Sequence, residues 1–368
     1  MLYFIFVRQA THKKVLLFYG FCVILKSNRF GKRGITVRLT ISDIAKKTGY
    51  AKSTVSAALN NKPGVKPKTR EEIQRIAAEM NYIPNEFARN LSMQTTNTIG
   101  IIVRDITNPF YAKICRAIEN TASEHAYTTL ILNTDGIREK ELNAIRVMSG
   151  QMVSGVIIDI SGKDTDLLME LNKFGLPFVV FGTTAGELAA DSVEADDYNG
   201  AYQAAEYLYS CGHRKIGFVH GGMESVYSQR RLRGIRKALE HNGIELEEKY
   251  IFYKAKTIQE GYLMGKKLVN FEDLPTAIIA YNDLVAVGMI RALEENGRQV
   301  PDDISIIGFD DIELMTFPLT TVQIPEYEMG EKAAELLFDK IMGKASGNPR
   351  EILLDTELVV RKSVKRLL

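Results

Sequence analysis

The chain has 368 residues, 45% hydrophobic and 25% charged, with a formal net charge of +2. That length holds a small domain plus a larger one, and so apolar a chain is not disordered. Charge is unevenly placed: of 47 Lys/Arg and 45 Asp/Glu, residues 1–97 carry seventeen basic and five acidic, a basic head on an acidic body, as contact with nucleic acid requires.

Residues 1–36 contain two apolar runs, Leu2–Val7 and Val15–Leu25, interrupted by Arg8, Lys13 and Lys14. Neither approaches the roughly 20 residues of a membrane span. Lys26-Ser-Asn-Arg after the second run is not a small-residue cleavage site, which argues against a signal peptide. From Leu39 the pattern becomes helical. Ile41, Ile44, Ala45 and Thr48 make one apolar stripe; Val55, Ala58 and Leu59 make another. Thr40 with Asp43 three residues on resembles a capping box, and Gly49 sits where a tight helix–helix turn needs positive φ. The second helix, about Lys52 to Asn60, leaves Lys52, Ser53, Ser56 and Ala57 off its core stripe. A third is expected to start at Thr69 with Glu72 as its box partner, burying Ile73, Ile76, Ala77 and Met80. Lys62, Lys66, Lys68 and Arg70 form a basic loop between them, placed to touch phosphate. Pro84 ends the third helix, and Asn85 to Leu91 reads as a short linker helix. A small helix with one apolar face and one of hydroxyl and basic side chains suits the major groove.

From Thr98 short apolar runs alternate with longer amphipathic ones. Strands are expected at Ile99–Val103, Thr128–Leu132, Val156–Ile160 and Pro177–Phe181, with helices at Tyr111–His125, Glu139–Gly150 and Thr165–Phe174. A second set follows: strands Ile216–His220, Tyr250–Tyr253, Ala277–Ala280 and Ile304–Gly308, with helices Tyr198–Ser210, Arg231–Asn242, Gln259–Asn270 and Leu284–Asn296. Such alternation, with strands apolar on both faces, implies two doubly wound parallel sheets and a bilobal α/β body behind an all-α head. Ligands of such sheets sit at the strand carboxyl ends. The expected division is a head at 37–83, a hinge helix and linker at 84–97, and a body at 98–368. Its first lobe spans about 98–195 plus part of 319–343; its second spans about 197–318 plus the C-terminal tail.

Enzyme motifs are lacking. Gly221-Gly222 follows a strand, but there is no dinucleotide fingerprint, phosphate-loop Lys-Ser/Thr, Gly-x-Ser-x-Gly elbow or metal-binding histidine pair. His213 and His220 read as a turn residue and a strand-end residue, and the pairs Asp196-Asp197 and Asp310-Asp311 as solvated or capping loop residues. Cys22, Cys115 and Cys211 lie far apart without paired spacing, which points to a reducing cytoplasm and to no metal or cofactor.

The chain resembles the lactose/galactose-repressor (LacI/GalR) family of transcription factors. Thr40 to Asn60, Tyr82-Ile-Pro-Asn85, Ala88-Arg89-x-Leu91, Asn108-Pro-Phe-Tyr111, Gly212-His-Arg214 and Pro318-Leu-Thr-Thr321 carry the resemblance, over about residues 37 to 365. It implies that the helix starting near Lys52 enters the major groove, with Lys52, Ser53 and Ala57 reading bases and Thr54, Ser56 and Asn60 near phosphate. Thr40 joins the DNA-binding set as the start of the first helix, Arg89 as part of the linker motif, and Leu91 as a minor-groove wedge. Two residues depart from the family: Ala51 replaces the usual Ser N-cap, and Ala57 a frequent Arg. Relatives begin just before the Leu-Thr-Ile-Ser-Asp motif, so we read residues 1–36 as a misassigned start, with Val37 the initiator if its codon is GTG.

The same resemblance implies that the body is like a type 1 periplasmic binding protein, a clamp for a sugar-like effector. Phe110 and Tyr111 are then expected to line the cleft from the first lobe, Arg231 and Asp283 to reach it from the second, and Tyr227 and Asp196 to contribute. The implied molecule is a homodimeric repressor that binds a palindromic operator on double-stranded DNA, with no membrane association. The competing readings are a soluble sugar-binding protein with a non-functional DNA-binding head, and a phosphotransferring enzyme that would need a nucleotide loop the chain lacks.

Overall fold

The computed structural model describes residues 15–18, 21–24, 39–82, 96–160, 165–182, 190–313, 317–345 and 347–368. They fall into two compact units, Met1–Ser92 and Met93–Leu368.

In the first unit β1 (Val15–Phe18) and β2 (Phe21–Ile24) pair antiparallel. The head helices follow: α1 (Ile41–Thr48), α2 (Lys52–Leu59) and α3 (Pro67–Glu79). Asp43 holds the start of α1 by accepting from the Thr40 N–H at 2.9 Å and its hydroxyl at 2.7 Å. These bonds keep its carboxyl below the ordinary range. Gly49 ends the helix at φ 75, its N–H on the Ala45 carbonyl. The third helix begins two residues before the expected Thr69. Pro67 opens it, a position where the missing N–H costs nothing. Glu72, expected to close a box with Thr69, accepts from the Tyr50 hydroxyl instead. Ile44, Val55, Ala58, Ile73 and Ala77 form the buried core, with Ile41, Tyr50, Leu59, Val65 and Met80 packed around it. Each buried Ile or Val contributes roughly 1.5–3 kcal/mol.

The second unit holds two six-stranded sheets. The first has β3 (Thr98–Val103), β4 (Thr128–Asn133), β5 (Val156–Asp159), β6 (Phe178–Phe181), β7 (Ser192–Ala195) and β13 (Glu351–Leu354), in the order β13-β7-β6-β5-β3-β4, all parallel. The second has β8 (Ile216–His220), β9 (Ile251–Tyr253), β10 (Ala277–Ile279), β11 (Ser305–Asp310), β12 (Thr320–Gln323) and β14 (Glu357–Val359), in the order β14-β12-β11-β10-β8-β9, with only β14 antiparallel. The intervening helices are α4 (Pro109–Glu124), α5 (Arg138–Gly150), α6 (Thr165–Lys173), α7 (Asp197–Ser210), α8 (Val226–His241), α9 (Ile258–Val269), α10 (Asp283–Glu295) and α11 (Glu326–Ile341). Among the described residues no helix is long and apolar enough to cross a membrane.

The lobes trade segments differently from the expectation. Of 319–343, assigned in part to the first lobe, β12 pairs in the second sheet and α11 packs in the first lobe, while β13, expected in the second lobe with the tail, pairs with β7 in the first. α11 packs on α4, where a Cβ at Gly330 would come within 2.5 Å of the Ile114 carbonyl. The chain therefore crosses between lobes three times: at Asp196, between β12 and α11, and between β13 and β14. Helix α8 starts at Val226, five residues before the expected Arg231, because the Ser225 hydroxyl caps it by accepting from Ser228 N–H.

Candidate functional site

On the head, Lys52 and Ser53 are exposed in the first turn of α2, Asn60 is exposed at its end, and Thr54, Ser56 and Ala57 are half-buried. Val55 and Ala58 anchor this helix from below. Ala51 occupies the N-cap without a side-chain hydrogen bond. Asn60 uses its side-chain amide on the Ser56 carbonyl, at 2.8 Å. Thr40 serves to hold α1, as above. Arg70 departs from the expected phosphate loop: it donates to the Lys62 carbonyl at 2.6 Å, which ties the loop to α3, while Lys62, Lys66 and Lys68 stay exposed. Arg89 and Leu91 lie outside the described residues.

In the body each sheet has its switch point between the strand that begins it and the next one across, β3/β5 in the first and β8/β10 in the second. Chains leaving the carboxyl ends there diverge and leave a crevice. The crevice between the lobes is a cleft lined from both sheets. Arg104 and Asp159 enter it from the ends of β3 and β5, and Phe181, Gly182 and Glu194 from β6 and β7. Tyr281, Asn282 and Asp310 enter from beyond β10 and the end of β11, and Tyr227, Arg230 and Arg231 from α8.

Of the expected cleft residues, Phe110, Tyr111, Tyr227 and Arg231 come together here. Phe110 and Tyr111 meet edge to face with centroids 5.2 Å apart. The Tyr111 hydroxyl donates to Asp159 Oδ2 at 2.6 Å; Arg104 Nε donates to the same oxygen at 2.8 Å; Tyr227 donates across the lobes to Oδ1 at 3.2 Å. Burial pushes both tyrosine hydroxyls well above the ordinary range, so they remain donors. Arg231 is 4% exposed and pairs with Asp197 at 2.7 Å; its guanidinium lies 3.6 Å from the centre of the Phe309 ring and donates to the Tyr281 carbonyl. Arg230 pairs across the lobes with Glu194.

Two expected residues sit elsewhere. Asp283 turns its carboxylate away from the cleft: Oδ1 accepts from the Thr321 hydroxyl at 2.6 Å and Oδ2 from the Ile312 N–H at 2.9 Å. Its neighbour Asn282 lines the cleft instead. Asp196 caps α7 by accepting from the Asn199 N–H, at a lobe crossing where its own carbonyl accepts from Thr356. Of the two acid pairs, Asp196 fills the expected capping role, whereas one member of each pair is buried. Asp197 is buried against Arg231, and Asp310, 6% exposed, faces the cleft. His213 bonds Thr276 and the Lys365 carbonyl, a turn residue as expected, and buried His220 accepts from the Gly222 N–H.

Sequence reasoning missed Arg104, Asp159, Glu194, Arg230 and Tyr281. A signal for three of the cleft's charges was present: each is a charged residue ending an apolar strand run, as in Ile101-Ile-Val-Arg104, Val156-Ile-Ile-Asp159 and Ile306-Ile-Gly-Phe-Asp310.

Residues 96–362 match the family model described as periplasmic binding proteins and sugar binding domain of LacI family, and residues 40–85 match that of bacterial regulatory proteins, lacI family. The chain is similar to the HTH-type transcriptional repressor PurR of Vibrio vulnificus, 32% identical over 89% of this chain and 99% of the relative. It is similar to the repressor CytR of Escherichia coli, 34% identical over 89% of this chain and 97% of the relative. Among solved structures it is similar to the lac repressor dimer bound to operator and the anti-inducer ONPF, with a TM-score of 0.78, 27% identity, and coverage of 89% of this chain and 99% of that one.

Proposed function

The chain belongs to the LacI family of bacterial regulatory proteins, a family of transcriptional regulators and not of enzymes, and from that premise we propose that it is a cytoplasmic repressor of a palindromic operator. It acts as a homodimer and takes a sugar-like small molecule in the interlobe cleft. One observation carries this reading: a three-helix head exposes Lys52 and Ser53 on a helix anchored by Val55 and Ala58, and the same chain carries an aromatic, charge-lined cleft at two sheet switch points. Lys52 supplies a donor for guanine O6/N7, Ser53 reaches either base edge, and Ala57 offers an apolar surface to a thymine methyl. Thr54, Ser56 and Asn60 contact phosphate, and Arg89 and Leu91 the minor groove.

One head spans too few base pairs for a specific site, and a two-fold pair multiplies the discrimination. Supporting a dimer, β4 is an edge strand, and Ile131 on it is exposed, as are Ile106, Ile137 and Val147 from adjoining segments. The effector acts by binding one lobe arrangement more tightly than another, a difference of a few kcal/mol. The test is selection of bound sites from random DNA by the full chain, followed by titration over a range of salt. A shared palindrome bound with a steep salt slope is expected. Tight sugar binding with no specific DNA binding would replace this reading with that of a soluble sugar-binding protein.

A further inference from the structure

The helix that carries the proposed base contacts is short and lacks a cap. Helix α2 has eight residues, too few to hold itself in water, so neighbouring segments set its direction. Its N-cap, Ala51, supplies no side-chain hydrogen bond, and Lys52 and Ser53 follow at once in its first turn. Its underside rests on the core through Val55 and Ala58. Its far end is tied to α3, where Gln74 donates to the Ala58 carbonyl at 3.3 Å and to Asn61 Oδ1 at 3.1 Å. Its near end is tied to the same helix, among the described residues, by the hydroxyl of Tyr50, which donates to Glu72 Oε2 at 3.0 Å. Tyr50 stands one residue before the N-cap, and its ring packs against the core. A helix of eight residues is about 12 Å long, so a swing of about 10° about its far end moves the near end by about 2 Å. That exceeds the tolerance of a hydrogen bond to a base edge.

We propose that Tyr50 and Glu72 are positioning residues of operator recognition: their hydrogen bond takes the place of the absent cap and aims Lys52 and Ser53 at the base edges. The inference rests on the proposed reading of bases by α2 and names what fixes its angle. The bond is exposed, so its worth is modest. It acts on the placement of α2 rather than on the folding of a head already held by Ile44, Val55, Ala58, Ile73 and Ala77.

The test titrates the full chain, by fluorescence anisotropy at fixed salt, with the operator recovered from random DNA and with a scrambled duplex of equal length. Tyr50→Phe keeps the packed ring and removes only the hydroxyl. Its affinity for the operator is expected to fall roughly two- to tenfold, the range of one hydrogen bond, with the scrambled duplex bound as before. Glu72→Ala is expected to lower the operator-to-scrambled ratio equally, and the double variant no further. Glu72→Gln, which keeps an acceptor oxygen, should hold most of the ratio. Ala51→Ser added to Tyr50→Phe should restore it through the cap. Additive losses, or equal losses on both duplexes, overturn the proposal. So does an unchanged ratio in Tyr50→Phe, which with a lower urea midpoint makes the bond structural only. Lys52→Ala is the control for the underlying reading. A ratio insensitive to Lys52→Ala sinks base reading by α2 and this proposal with it, whereas one that depends on Lys52 and not on Tyr50 sinks this proposal alone.

Discussion

Replacing Asp283 by Asn and by Ala separates two opposing contributions of one buried carboxylate. Asp283 is 1% exposed at the start of α10 and accepts from the Ile312 N–H and the Thr321 hydroxyl. Burial outweighs those two bonds, and its carboxyl is raised from 3.8 to about 6. Below about pH 4 folded and unfolded chains both hold the proton, and the group makes no difference. Between about pH 4 and 6 the unfolded chain releases it first, so stability falls as pH rises; above about 6 the whole difference applies. A gap of about two units at ~1.4 kcal/mol each comes to about 3 kcal/mol. Asn has an amide oxygen to accept from the Ile312 N–H and an amide N–H to donate to the Thr321 oxygen, and it carries no charge. Relative to the parent chain, Asp283→Asn is therefore expected to gain about 3 kcal/mol between pH 4 and pH 7.5. Asp283→Ala leaves two buried donors unmet at ~1–3 kcal/mol each, a loss fully visible at pH 4 and largely offset at pH 7.5. Urea unfolding of the full chain at several pH values, followed by far-ultraviolet circular dichroism, measures both. A difference between Asp283→Asn and the parent that stays constant over that range would refute the argument. It would mean that the carboxylate is no more strained folded than unfolded.

Four further substitutions test the head and the cleft. Ala51→Ser places a hydroxyl at the uncapped start of α2 and is expected to stabilise the head by about 0.5–2 kcal/mol, read as a higher urea midpoint of its transition. Lys52→Ala is expected to cost about 1–3 kcal/mol and to relax the base preference at one operator position, whereas Lys66→Ala should weaken all sequences alike and lower the salt slope by about one. Equal losses on every sequence from both changes would remove Lys52 from base reading. Tyr227→Phe deletes one interlobe hydrogen bond of about 0.5–1.5 kcal/mol, so calorimetry should show ligand affinity reduced by about two- to tenfold. An unchanged constant would show that this bond does not bias closure.

Much of this architecture was legible because the pattern and the physics coincide. Ile216–His220 reads as a strand and forms one with those bounds, since a short, mostly apolar run flanked by Lys215 and Gly221 has few other uses. The capping pair Thr40 and Asp43 was equally plain. Four short strands were not: Ser192–Ala195, Thr320–Gln323, Glu351–Leu354 and Glu357–Val359 mix polar and apolar residues, and their pairing depends on partners distant in sequence. Pattern reasoning weighs local periodicity and has no access to that partner. The site shows the same divide. Phe110, Tyr111, Tyr227 and Arg231 were found, whereas Asp283 was assigned to the wrong side of its helix start. Adjacent residues at a helix N-terminus point in different directions, and only the fold decides that Asn282 faces the cleft while Asp283 faces Thr321.

The hydrogen bonds at Asp159 explain how the lobes can move at small cost. Its carboxylate takes two bonds from its own lobe, Arg104 at 2.8 Å and Tyr111 at 2.6 Å, and one from the other, Tyr227 at 3.2 Å. Opening the cleft breaks the longest of the three and leaves the buried charge paired, so no orphaned carboxylate opposes the motion. Glu194, which pairs across the lobes with Arg230, lies two residues before the crossing at Asp196, where a rotation about the crossings moves it least. Thr356 ties that crossing to the one between β13 and β14 by donating to the Asp196 carbonyl, so these two strands turn together. A small molecule that binds one arrangement of the lobes more tightly than the other by a few kcal/mol would meet the condition for governing the equilibrium.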